Sequence, residues 1–135
     1  MSLPPSPLGV LETVLYVDDL ARAEEFYVDL LGFRKLSAEA GRHLFLRAAG
    51  SMLLLFDAEE ARRSTQVPPH GATGPGHACF VVPRASYGAW KQYLTSHRRV
   101  PLAAEIRWPG GGNSFYFHDF SGNVLEIADR DFWPP

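Results

Sequence analysis

The sequence holds a single cysteine, Cys79, so no disulfide can form within the chain. Disulfide-stapled secreted scaffolds are thereby excluded, and the thiol, set in the apolar run 78–82, is expected to be a packed, unreactive one in a reducing compartment. Long apolar runs are also missing: nothing approaches the roughly 20 residues that span a bilayer. Residues 1–7 carry neither the basic stretch nor the apolar centre of a signal peptide, so a cytoplasmic protein with no membrane partner is expected. Charge of one sign is scarce as well. Thirteen Lys and Arg face fifteen Asp and Glu for a net charge of −2, with no basic stripe, which removes nucleic acid from the expected partners. No phosphate-binding loop is present, because Pro109–Gly112 lacks the following lysine and helix. What remains is a chain of 135 residues, 46% apolar and 21% charged, enough for one compact domain or two very small units sharing a core.

Along the chain one pattern occurs twice. Residues 10–18 are rich in β-branched and aromatic types and predict a strand. Asp19 then stands where an N-cap belongs, Leu20, Ala23, Tyr27, Leu30 and Leu31 recur at helical spacing, and Gly32 suits the C′ position. Strands are predicted at 33–37, 43–48 and 52–57. After a linker rich in proline and glycine the order restarts, with a strand at 76–82, a helix marked by Tyr87, Trp90, Tyr93 and Leu94, and strands at 103–107, 113–119 and 123–128. The expected organisation is a tail at 1–9, a first βαβββ unit at 10–57, a linker at 58–75, a second unit at 76–130 and a tail at 131–135. The fold class is α+β: tandem βαβββ modules forming a cupped eight-stranded mixed sheet with helices outside. Units that cannot bury their own sheet face pack together or dimerise, and sheet edges left open favour a homodimer.

Strand alternation then sorts the chemistry. Glu12, Val14 and Tyr16 share one face of the first strand, and the apolar Leu15 and Val17 take the helix-packed face, so Glu12 is turned into the cup. The same parity groups His77 with Cys79 and Val81, and Val124 with Glu126 and Ala128. Glu126 interrupts an otherwise apolar strand, where an ionised side chain is costly unless it is paired or bound to a cation. Two carboxylates and an imidazole in one cup would repel or shift pKa without a cation between them, whereas taken singly Glu12 reads as a strand-edge charge and His77 as a core histidine. Around the candidate ligands Glu12, His77 and Glu126, Tyr116 and Ser114 share cup parity, Arg47 is placed to meet an anionic substrate, and His70 in the linker is a candidate lid contact. Pairing the repeats sets 12 against 77, and 55 against 126.

The stretch Leu11–Leu20 continuing to Phe26-Tyr27 and Leu30–Phe33, the restart Gly76–Phe80, and the close Ser114–Glu126 together resemble the vicinal oxygen chelate superfamily over residues 10–130. That resemblance implies one divalent metal per site (Mn, Zn, Mg, Ni or Fe), held by Glu12, His77 and Glu126, with a small-molecule substrate. It also implies that a carboxylate ligand, Glu126 or Glu12, can leave the metal to act as base. Tyr116, by its parity, is the candidate for proton transfer or orientation, and Arg47, Ser114, Tyr116 and His70 are the candidate substrate contacts by parity and position. Within the superfamily glyoxalase I adds a fourth ligand from the last strand of the first module, where this sequence has Leu55. Thiol transferases for fosfomycin carry a threonine and a lysine at the positions of Val14 and Ile106. The expected activity is therefore that of a glyoxalase-like lyase, isomerase or transferase on a small oxygen-rich electrophile, rather than glyoxalase I itself. The alternatives are a metal-free sequestering protein of the bleomycin-resistance type and an iron-dependent extradiol dioxygenase. Dimers are usual among the proteins it resembles, with the first-strand ligand expected from one chain and the other two from its partner.

Overall fold

The computed structural model describes residues 2–135. The first module runs β1 (Glu12–Val17), α1 (Leu20–Glu24), β2 (Arg34–Glu39), β3 (His43–Arg47) and β4 (Met52–Asp57); a short helix α2 (Ala58–Arg62) follows it. The second runs β5 (His77–Val81), α3 (Tyr87–Gln92), β6 (Ala104–Arg107), β7 (Asn113–His118) and β8 (Val124–Ala128). Asp19 caps α1, its carboxylate accepting from the Arg22 N–H at 3.0 Å, and Gly32 ends that helical segment at φ +83°. Both long helices widen into π-helical turns, at Glu25–Leu30 and Tyr93–His97, which bury Phe26, Tyr27, Leu30 and Leu94. Helix α2 lies in the stretch expected to be plain linker. Asp57 caps it by accepting from the Glu60 N–H at 3.1 Å, a signal hidden by its position at the end of an apolar strand.

The eight strands divide into two four-stranded sheets of the same topology, β1-β4-β3-β2 and β5-β8-β7-β6. In each, the first and last strands of the module pair in parallel and the rest are antiparallel. The repeat extends to single hydrogen bonds: Met52 N–H donates to the Leu11 carbonyl and Val124 N–H to the Gly76 carbonyl, each at 2.9 Å. Glu12 and His77 are thus equivalent residues, one past each carbonyl.

One apolar core serves both modules. Leu15, Leu44, Leu46, Leu53 and Leu55 of the first sheet join Phe115, Phe117, Leu125 and Ile127 of the second, with Phe26, Tyr27 and Leu94 between them. The faces carrying Glu12 and His77 are the opposite ones, by alternation along the strands. Polar bonds close the seam between modules. The fully buried Asn123 donates to the Tyr16 carbonyl at 2.9 Å, accepts from Gly76 N–H at 2.8 Å, and bonds Asp119, which in turn accepts from the Tyr27 hydroxyl at 2.7 Å. At Gly76 a Cβ would lie 2.9 Å from a Leu15 methyl and 3.3 Å from the Asn123 amide oxygen, so a side chain there requires Leu15 to shift within the seam. Trp108 covers the far edge, stacked on Phe132, whereas Trp133 is exposed.

Removing the Asn123 amide leaves buried partners in both modules unpaired. Asn123→Ala should lose on the order of 3 kcal/mol in urea denaturation, with one cooperative transition because the core is common to both halves.

Candidate functional site

His77 is the first residue of β5 and Glu126 the third of β8; parallel pairing sets Glu126 beside Cys79, two residues along from His77 on the same face. The His77 ring is fixed by the backbone, with Nδ1 2.8 Å from the Val124 carbonyl oxygen. A carbonyl only accepts, so Nδ1 carries the proton and Nε2 presents its lone pair to the cup. Nε2 lies 3.4 Å from Glu126 Oε1. Glu126 is 4% exposed, and its Oε2 is buried without a hydrogen-bond partner among the described residues. A buried carboxylate oxygen with nothing to accept from is costly. Beside an imidazole lone pair, it fits a cation that both would ligate.

Tyr116 pairs with Glu126 across β7 and β8, and its ring stacks along that of His77 with centroids 6.1 Å apart. Burial, followed by the Glu126 charge, holds its hydroxyl above the usual phenol range, so it stays a proton donor at neutral pH. Ser114 forms the floor of this cup: it is fully buried and its hydroxyl accepts from the Trp108 indole N–H at 3.0 Å. Cys79, expected to be a packed thiol, is exposed on the cup face. The thiol is nonetheless pushed up to about 12, first by desolvation within the cup and then by the neighbouring carboxylate of Glu126.

Glu12 is not with them. It lines a groove of about 650 Å³ on the first sheet, together with Val14, His43, Phe45, Leu54, Phe56 and linker residues including His70. No three acidic, histidine or cysteine side chains among the described residues converge to hold a metal within one chain. The linker histidine does reach the first cup. His70 Nδ1 is hydrogen-bonded to the Tyr16 hydroxyl, and its ring meets Phe56 edge-on at 5.0 Å. Aromatic contacts continue along the wall through Phe45, which packs edge-on to Phe56 at 5.5 Å and stacks on His43 at 4.0 Å. These rings were not singled out from the sequence, although strand alternation puts Tyr16, His43, Phe45 and Phe56 on Glu12's face. Burial lowers the pKa of His43, partly countered by Glu39, so the imidazole is neutral at physiological pH. Arg47 has the expected parity, opposite Met52, but it lines a different cleft, with Leu31, Phe33, Cys79 and Trp90.

The register also corrects the pairing of repeats. Glu126 sits beside Cys79, and the residue beside the equivalent Val14 is Leu54. Leu55 pairs with Leu15 and is fully buried in the common core. Position 54 is therefore the first-module counterpart of Glu126, and it too holds a leucine.

Across residues 9–127 the chain matches the model of the Glyoxalase/Bleomycin resistance protein/Dioxygenase superfamily, and it belongs to that superfamily. It is 36% identical to the lactoylglutathione lyase of Agrobacterium tumefaciens, whose crystal structure it matches over 97% of this chain and 100% of that one with a TM-score of 0.90. The fold is shared at lower identity with the fosfomycin resistance protein FosX of Listeria monocytogenes, crystallised as a mutant with Mn(II) and 1S,2S-dihydroxypropylphosphonic acid (19% identity, 92% and 91% of the two chains, TM-score 0.69). A glyoxalase/dioxygenase from Nostoc punctiforme matches over 95% and 97% of the chains at 20% identity and a TM-score of 0.68. No curated protein matches the chain.

Two outcomes follow from this geometry. In metal-free protein Cys79 should alkylate with iodoacetamide at pH 8 at least about tenfold more slowly than a free thiol, and Glu126→Gln should speed the reaction by lowering the thiol pKa; an unchanged rate would remove the carboxylate from Cys79's surroundings. Leu54→Glu should fold and tighten Mn(II) binding measured by calorimetry, whereas Leu55→Glu should cost more than about 4 kcal/mol by burying a charge in the core; the reverse result would restore the pairing of 55 with 126.

Proposed function

We propose that this protein is a metal-dependent lyase, isomerase or transferase for a small oxygen-rich electrophile, working at a site that two copies of the chain complete. The observation that carries this reading is the convergence of the His77 Nε2 lone pair on Glu126, whose Oε2 is buried and unpartnered. A purely sequestering pocket has no use for such an oxygen, which weighs against the metal-free reading. Glu12 is the expected third ligand, and since one chain keeps it apart from His77, it is drawn from the partner subunit. One imidazole with two carboxylates is a hard, anionic set suited to manganese, zinc or magnesium rather than to the two-histidine iron site of a dioxygenase. A cation held there supplies Lewis-acid polarisation of adjacent substrate oxygens.

The remaining work falls to the chain's own side chains. The Val124 carbonyl keeps the His77 ring in one tautomer and orientation. Tyr116, protonated at neutral pH, donates a hydrogen bond to a substrate oxygen as negative charge develops on it. Glu126, once released from the cation, would be the base for a proton on the carbon beside that oxygen. On the facing wall, His70 held by Tyr16 narrows the cup and excludes water. A second reading, lactoylglutathione lyase activity, is favoured by the 36% identity to the Agrobacterium tumefaciens enzyme. Leu54, at the first-module counterpart of Glu126 and unable to ligate, favours the broader reading.

Protein purified without chelators should carry one divalent metal per chain by elemental analysis, and His77→Ala should abolish it while leaving the circular dichroism spectrum intact. Glu12→Ala and His77→Ala proteins, each deficient alone, should regain metal binding when unfolded and refolded together, because one site in each heterodimer then keeps every ligand. Full affinity in His77→Ala removes the metal centre. Absence of recovery in proven heterodimers removes the sharing between chains.

A further inference from the structure

Across the first sheet, one row of cross-strand neighbours reads Glu12, Met52, Arg47, Arg34. Arg34 and Arg47 are directly opposite on antiparallel strands, which brings their Cβ atoms to about 5 Å on one face and makes two like charges neighbours. Such a pair is unfavourable unless an anion lies between or beside it. The ion pairs of the described residues employ Lys35, Arg42, Arg62, Arg63, Lys91 and Arg130, and leave Arg34 and Arg47 out. Glu12 lies two strands from Arg47, roughly 10 Å, a separation at which salt screens most of the attraction. The row therefore holds a cationic end that its own carboxylate does not neutralise.

Beside that end opens the cleft of about 430 Å³ at the seam between modules, with Arg47 and the turn 48–51 on one wall and the β5 residues Phe80 and Val81 on the other. Leu31, Phe33 and Trp90 make much of the rest of its lining, and Val81 is 65% exposed. Phe33 is packed edge-on to Phe80 at 5.0 Å. Arg47 itself lines the cleft, and Arg34, outside the lining, adjoins it as the cross-strand neighbour of Arg47. The cleft is distinct from the groove that holds Glu12 and His70.

We propose that this seam cleft is a binding site for a small amphipathic carboxylate, its acid group held by Arg47 and Arg34 and its apolar body lying along Phe33, Val81 and Trp90. The two halves of the argument are independent: the arginine pair supplies an unmet demand for an anion, and the cleft supplies apolar surface with room for a short hydrocarbon body. A guanidinium fork matches a carboxylate with two parallel hydrogen bonds, which sets this ligand class apart from neutral apolar molecules. The inference does not depend on the metal centre.

Octanoate and octan-1-ol, equal in chain length and different in charge, are the probes, with Trp90 fluorescence as the local reporter. Octanoate should produce a saturable change that weakens with added salt, with octanol at least about tenfold weaker. Arg47→Met and, separately, Arg34→Met keep an apolar stem and remove the charge; each should weaken octanoate by about tenfold or more and leave octanol unchanged. Arg34 is exposed, so its variant tests the site even if the Arg47 variant folds poorly. Equal affinity for the two probes, full octanoate affinity in Arg34→Met, or a signal that persists in Trp90→Phe would each overturn the proposal. Absence of any saturable octanoate signal would do the same.

Discussion

A single apolar core holding the inner faces of both sheets is the constraint from which the rest follows. Because Leu15, Leu46 and Leu55 must meet Phe26, Phe117 and Leu125 in one body, the opposite faces of both sheets are freed for chemistry. Strand alternation then determines which residues stand there, and it delivers Glu12, Tyr16 and Phe45 on one sheet and His77, Tyr116 and Glu126 on the other. The same arrangement keeps the two halves of the candidate centre apart within one chain. A fold that stabilised itself by closing the cups on each other would lack the shared core.

The two cups have diverged in what they offer. The second is polar and compact, an imidazole and a carboxylate positioned by neighbouring strands with a tyrosine across from them. The first has rings along one wall and linker residues on another, with Glu12, Glu39, Arg42 and Glu60 as its charged lining. Duplication gave each the same strand order and the same carbonyl bond at the start.

Much of this was readable from residues alone, for identifiable reasons. Asp19 and Gly32 marked the first helix because capping and left-handed backbone demand those residue types. Glu126 stood out because a carboxylate in an apolar strand has few structural uses. The pairing of the repeats failed where that contrast was missing: Met52-Leu53-Leu54-Leu55-Phe56 is apolar on both faces, so parity could not be read and position 55 was taken for 54. Helix α2 was hidden because its cap, Asp57, also ends a strand. The separation of Glu12 from His77 and the bond from His70 to Tyr16 depend on how modules and linker fold back in space, which no local pattern encodes. Arginines 34 and 47 were far apart along the chain until the β2–β3 register made them neighbours.

The hydrogen bond from His77 Nδ1 to the Val124 carbonyl has a bearing on how such a centre can change over generations. Many ligating histidines are aimed by a neighbouring carboxylate, and a single substitution can then strip the ligand of its orientation. Here the acceptor belongs to the main chain, which every amino acid provides. The residue at 124 can be exchanged for any that tolerates a strand without disturbing the ring. The walls around the imidazole are thereby open to change while the ring itself stays aimed.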